Sequence, residues 1–138
     1  MQLKITVTGG RGFIGRHFVE KCLEEGHSVI DIDCMTYAAN TNLPFDNNPN
    51  YQHINQNIKD ITHLPICDIF VNFAAESHVD NSILAPDVFV DSNVLGVLNI
   101  LNLLRGKVYE RPLFVHISTD EVYGDVDDGE KTEESILE

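Results

Sequence analysis

Residues 8–15 read TGGRGFIG, with Gly9, Gly12 and Gly15 spaced three apart. The stretch lies between an apolar run at 3–8 (LKITVT) and a segment at 13–25 (FIGRHFVEKCLEE) with helical spacing of its apolar residues. Few arrangements satisfy all three features. A buried strand must turn sharply into a helix, and the turn must let backbone pass where a side chain would block it. Such a turn points backbone N–H groups and the positive end of a helix at one spot, which suits a phosphate or pyrophosphate. A glycine-rich turn without a ligand is the plainer alternative, and the residues downstream argue against it.

The rest of the chain repeats the strand-then-helix rhythm. Strands are expected at 28–33, 51–55, 68–73 and 112–118, and a long helix at 87–104 with Pro86 near its start, a favoured position for proline. Gly26 is placed to stop the first helix. Residues 34–50 are rich in Asn, Pro and Asp and read as a loop, and 58–67 holds at most a short helix ended by Pro65. Alternating strands and helices predict an α/β fold, a Rossmann-like doubly wound parallel sheet of about five strands. One domain over 1–124 and an acidic, loose tail over 125–138 are expected. In the long helix, Asp87, Asp91, Asn99 and Asn102 form a narrow polar stripe, while apolar residues cover far more than half the circumference. One apolar face can lie on the sheet; the rest needs another cover, and a homodimer through helix 87–104 is the expectation.

A formal charge of −13 argues against a surface for nucleic acid or anionic membrane. Cys22, Cys34 and Cys67 are scattered and form no C-x-x-C pair, as in a reducing compartment, so a cytoplasmic location is expected. The sequence shows no apolar run of about 18 residues and no basic-then-apolar leader, so no membrane segment is expected.

Two further stretches carry chemistry. The second strand ends at Asp33, 18 residues past Gly15, close to the roughly 20-residue offset of an acid that binds an adenosine ribose. A carboxylate there favours NAD and repels the 2′-phosphate of NADP; Asp31 is the other acid in range. The fourth strand ends in Phe73-Ala74-Ala75-Glu76-Ser77-His78, where small side chains would let a cofactor lie close. His78 alone reads as structural, and a metal site from His63, His78 and Asp80 has no ligand spacing to support it. The fifth strand ends in Ser118-Thr119-Asp120-Glu121. That strand tip is the expected catalytic rim, and two adjacent carboxylates can be divided into one acid and one base.

On TGGRGFIG (8–15), DCMTYAAN (33–40), AAESHVDNSI (74–83) and ISTDEVYG (117–124), the chain resembles the nucleotide-sugar 4,6-dehydratases of the extended short-chain dehydrogenase/reductase superfamily. The resemblance implies an NAD cofactor that takes hydride from C4 of a nucleoside-diphosphate-glucose, dTDP-glucose foremost. It implies Glu121 as the base at C5, Asp120 as the acid toward the C6 hydroxyl, and Thr119 and Ser77 as substrate contacts. It further implies Phe13 and Ile14 beside the pyrophosphate, Asp33, Cys34, Met35 and Thr36 around the adenosine, and Phe73, Ala74, Ala75, Glu76, Ser77 and Ser92 along the cofactor. Epimerases of the same superfamily usually have small or uncharged residues in place of the Thr-Asp-Glu triplet.

The sequence departs from that pattern in places. Asn57-Ile58 stands where Asp-Ile is usual beside adenine, Cys34 replaces a common Lys, and Ala39 a common Gly. An Asn carbonyl can still accept from the adenine amino group. The family's Tyr-x-x-x-Lys pair does not occur within the 138 residues, so these residues are expected to hold half an active site and to be inactive by themselves.

Overall fold

In the computed structural model, which describes residues 1–107, 111–126 and 129–137, five parallel strands form one sheet. They are β1 (Lys4–Thr8), β2 (Ser28–Ile32), β3 (Tyr51–Ile54), β4 (Ile69–Asn72) and β5 (Leu113–His116), in the order β3-β2-β1-β4-β5. The order reverses at β1. Its register places Thr8 opposite both Ile32 and Asn72, so three strand tips meet where the glycine loop begins. This is the expected doubly wound arrangement, each strand within two residues of its predicted bounds.

Alternation along β1 divides the core. Ile5 and Val7 face helix α1 (Gly15–Glu24) and pack with Val19, Cys22, Leu23, Val29 and Val71. Phe13 and Ile14, expected on the apolar face of that helix, lie ahead of it and are exposed, at 78% and 62%. The helix ends as Gly26 predicts: its N–H donates to Leu23 O and that of His27 to Cys22 O, both at 3.0 Å.

The opposite face is covered differently from the expectation. Residues 58–67 contain no helix. Instead Ile58, Ile61 and Leu64 press into the sheet with Ile32, Phe70, Ile100 and Leu104. The three-residue spacing that suggests a helix is that of an irregular crossover whose carbonyls find partners elsewhere. Asn99 Nδ2 donates to Ile58 O at 2.8 Å and to Ile61 O at 2.9 Å, supplying what helical hydrogen bonds would have supplied.

Asn99 belongs to helix α3 (Pro86–Gly106), which the sequence predicts as 87–104. Its middle, Asp91–Gly96, is π-helical between α-helical ends at Pro86–Val90 and Val97–Gly106. A short helix, α2 (Val79–Leu84), precedes it where the sequence predicts none. Only the middle of the polar stripe of α3 turns inward, while Asp87 and Asn102 stay exposed. Asp91 pairs with Lys59 and Asn99 holds the crossover, while Gly96, Ile100 and Leu104 are buried. A Cβ at Gly96 would come within 2.5 Å of Ile58 Cδ1, so a larger residue here would have to push the buried Ile58 side chain aside. Val94, Leu95, Leu98 and Leu101 are left about half exposed. By length and composition alone this 21-residue helix is apolar enough to cross a membrane, contrary to the run-length reading of the sequence. Its docking through Gly96, Ile100 and Leu104 is that of a helix laid on a sheet. Of the acidic segment 125–138, residues 127, 128 and 138 lie outside the described residues; the others there form no helix or strand.

Candidate cofactor cleft and acid pair

The glycine loop turns where β1 ends. Gly9 has φ +71°, and a Cβ on it would lie 2.7 Å from the backbone nitrogen of Ala74. Any side chain there is both strained and blocked. Beneath the loop, Asp31 is fully buried, accepting the Gly10 N–H at 2.8 Å and the Tyr51 hydroxyl at 2.8 Å. Burial pushes the Asp31 carboxyl up to about 6, against the opposing hydrogen bonds. The Tyr51 phenol is likewise pushed well above its usual range, by burial first and then by Asp31. Asp31 therefore supports the loop from below.

Asp33 takes the expected place at the rim. Its Oδ2 accepts the Arg11 N–H at 3.0 Å and its Oδ1 the Met35 N–H at 2.9 Å. Met35 sits at φ 58°, a left-handed conformation fixed by that bond. A carboxylate has about four lone-pair sites, so Asp33 retains capacity for a ribose hydroxyl.

A groove of about 180 Å³ opens above these residues. Of the expected cofactor residues it brings together Gly9, Gly12, Asp33, Cys34, Thr36, Asn57, Ile58, Phe73, Ala74, Ala75, Glu76 and Ser92. Phe13, Ile14, Gly15, Met35 and Ser77 do not line it. Ile32, Ala38, Ala39, Gln56, Val88 and Asp91 do, beyond those expected. Asn57 Oδ1 accepts the Lys59 N–H at 3.0 Å, which leaves that oxygen one further lone pair.

The π-helical turn shapes one wall. It carries Ser92 to the groove and Asn93 to the segment after β4. The Asn93 amide pairs with the Glu76 backbone in both directions, donating to its carbonyl and accepting its N–H, each at 2.8 Å. An asparagine amide here replaces a neighbouring strand. Asn81 Nδ2 donates to Tyr37 Oη at 3.0 Å, linking α2 to the opposite loop. Sequence reasoning missed Asn93; as one of three asparagines in an apolar helix it carries no mark of its role.

The acid pair lies outside the groove. Asp120 and Glu121 open a 3₁₀ turn, Asp120–Tyr123, beyond the tip of β5, and both are exposed. Thr119 caps the turn: its Oγ1 accepts the Glu121 N–H at 3.3 Å and donates to Asp120 Oδ1 at 3.2 Å. Behind it, the Thr8 hydroxyl donates to Asn72 Oδ1, and Asn72 Nδ2 lies 3.0 Å from His116 Nδ1, a polar line across β1, β4 and β5. Among the described residues, no three His, Cys, Asp or Glu side chains come together as a metal site.

A reversed strand order, a glycine loop entering a helix and an acid at the end of β2 define a dinucleotide-binding domain of the doubly wound class. The family model described as GDP-mannose 4,6 dehydratase matches residues 6–138, and the chain belongs to that family. It is 41% identical to the low-salt glycan biosynthesis protein Agl12 of Haloferax volcanii, covering 98% of this chain and 45% of that protein. It is 40% identical to a dTDP-glucose 4,6-dehydratase of Xanthomonas campestris, covering 86% and 38%. Among solved structures, DesIV, a dTDP-glucose 4,6-dehydratase of Streptomyces venezuelae with NAD and TYD bound, superposes with a TM-score of 0.83 at 42% identity, over 98% of this chain and 45% of that one. The dTDP-glucose 4,6-dehydratase of Bacillus anthracis in complex with NAD gives 0.78 at 33% identity, over 99% and 44%. The chain thus spans less than half the length of the relatives it matches.

Proposed function

We propose that the groove binds NAD and that the chain forms the cofactor half of a nucleotide-sugar 4,6-dehydratase acting on a nucleoside-diphosphate-glucose, with dTDP-glucose the favoured substrate. The observation that carries this reading is one groove joining the glycine loop, Asp33, the segment after β4 and Ser92, next to a strand that ends in Thr-Asp-Glu. The glycine loop suits the pyrophosphate, Asp33 the adenosine ribose, and small Ala74 and Ala75 the close approach of the cofactor.

NAD would supply hydride acceptance from C4 and its return at C6. The protein's part lies in proton transfer: Glu121 removes the C5 proton and Asp120 protonates the C6 hydroxyl, which leaves as water and gives a 4-keto-5,6-ene. With hydride returned at C6, the proton held by Glu121 would go back to C5, completing the 4-keto-6-deoxy sugar. Thr119 holds the turn that presents both acids, and with Ser77 contacts the sugar. The two carboxylates face solvent here, where a bound substrate would cover them. An epimerase or a non-catalytic NAD module would share the groove; the Thr-Asp-Glu triplet favours the dehydratase.

The 138 residues hold the acids without a Tyr-x-x-x-Lys pair, so they are expected to bind NAD and turn nothing over. Incubation with NAD and dTDP-glucose checks this, and a 4-keto-6-deoxy product would contradict it. The half-exposed Val94, Leu95, Leu98 and Leu101 support a homodimer through α3, and the three scattered cysteines support a cytoplasmic location. Light scattering should find a dimer that Leu98→Glu converts to monomer; a wild-type monomer at high concentration would count against it.

A further inference from the structure

The outer wall of the groove is the segment 34–50, which has no helix or strand and yet supplies Thr36, Ala38 and Ala39 to the lining. A loop of that length in a compact domain needs an anchor. The anchor is a side chain that points away from the groove. Arg11, in the middle of the glycine loop, is 4% exposed and does not line the cavity. Its guanidinium forks onto Asp46, with Nη1 2.7 Å from Oδ1 and Nη2 3.1 Å from Oδ2. Its Nε donates to Asn40 O at 2.8 Å, and Nη1 donates to the Tyr51 hydroxyl at 3.2 Å. Its carbonyl accepts both the backbone and the side-chain N–H of Asn40, each at 2.9 Å.

Asp46 returns the tie, its Oδ2 accepting the Leu43 N–H at 2.9 Å, and Phe45 beside it is buried in the core. One residue thus fastens the phosphate turn to both halves of the loop that walls the adenosine end. A bidentate Arg–carboxylate pair is the geometry best suited to fix such a distance, and a lysine cannot reproduce it.

We propose that Arg11 is a positioning residue for the adenosine half of the cofactor, holding residues 36–40 at the separation a bound nucleotide requires without touching it. This rests on the reading of the groove as an NAD site. The test is calorimetric titration of the wild type, Arg11→Met, Arg11→Lys and Asp46→Asn with NAD and with AMP. Each is done at a temperature where near-UV circular dichroism shows the variant folded. A purely structural role would lower the melting temperature and leave these affinities alone.

Arg11→Met and Asp46→Asn should each weaken NAD and AMP in parallel by about tenfold or more, since a bidentate, part-buried fork with its supporting bonds is lost. Arg11→Lys, which keeps the charge and should fold most readily, should lose affinity by about threefold or more. Hydrogen exchange should quicken at 36–46 and remain slow in β1. A folded Arg11→Lys or Arg11→Met that binds both ligands as the wild type does would overturn the positioning role and leave the cofactor site standing. A wild type that binds neither ligand would overturn both.

Discussion

At the tips of β1 and β2 the polar groups are buried and paired: Asp31, Asp33, Arg11 and Tyr51 hold one another and the backbone of the glycine loop. At the tip of β5 the chain presents Asp120 and Glu121 to solvent on a single turn capped by one threonine. Under the proposed function, the two ends differ because their tasks differ. Pyrophosphate and ribose are recognised by backbone N–H groups and a carboxylate in fixed positions, and a rigid network sets these before any ligand arrives. Proton transfer needs one carboxylate to act as acid and the other as base, a division that a bound substrate can impose. The first end is finished within these residues, by the glycine loop, Asp33, the segment after β4 and α3 brought together. The second is finished by whatever lies on top of it.

The contrast breaks most severely at Gly9. Gly9→Val places a β-branched residue at φ +71° against Ala74. It should cost roughly 3 kcal/mol or more and reduce NAD affinity beyond roughly a hundredfold. A variant that binds NAD normally would show that the turn is not built for the ligand. Chemical denaturation and calorimetry report the two effects.

Asp31 sharpens the contrast through pH. Its carboxyl ionises near 3.8 when exposed and near 6 in the fold. Between those values the folded chain keeps a proton that the unfolded chain has lost. The stability this group contributes is therefore full at the acid end and falls as pH rises to about 6. The shift corresponds to a decline of up to about 3 kcal/mol. Denaturation of the wild type and Asp31→Asn across pH 4 to 6.5 should show the wild type losing ground relative to the variant as pH rises. A constant difference would mean that the buried carboxyl ionises normally.

The opposite end should yield the smallest effects. Asp120→Ala with Glu121→Ala removes two exposed side chains and should change stability by less than about 0.5 kcal/mol and NAD affinity by less than about twofold. A large loss in either would show that the acids belong to the cofactor network.

The sequence made the cofactor end legible because its signals are local. Glycine spacing, an apolar run and an acid at a fixed offset all lie within residues 3–33, and the fold emerges from the strand-helix rhythm. Arg11 with Asp46, and Asp31 with Tyr51, are joined across 35 and 20 positions, and no periodicity marks such pairs. The crossover at 58–64 imitates a helix because its apolar residues fall every third position. Only the structure shows their carbonyls turned to Asn99. The same bonds explain why Asn99 turns inward, against the rule that polar residues on a surface helix face water. The π-helical turn that aims Ser92 and Asn93 has no sequence signature beyond an isolated Asn-Val-Leu-Gly.

The measurement closest to the central claim is a paired titration of the 138-residue chain with NAD and NADP, repeated with Asp33→Ala. NAD should bind at one site per chain, NADP at least about tenfold more weakly, and the preference should vanish with the carboxylate. Equal binding of the two cofactors by the wild type, or binding of neither, would contradict a groove built around Asp33 and the glycine loop.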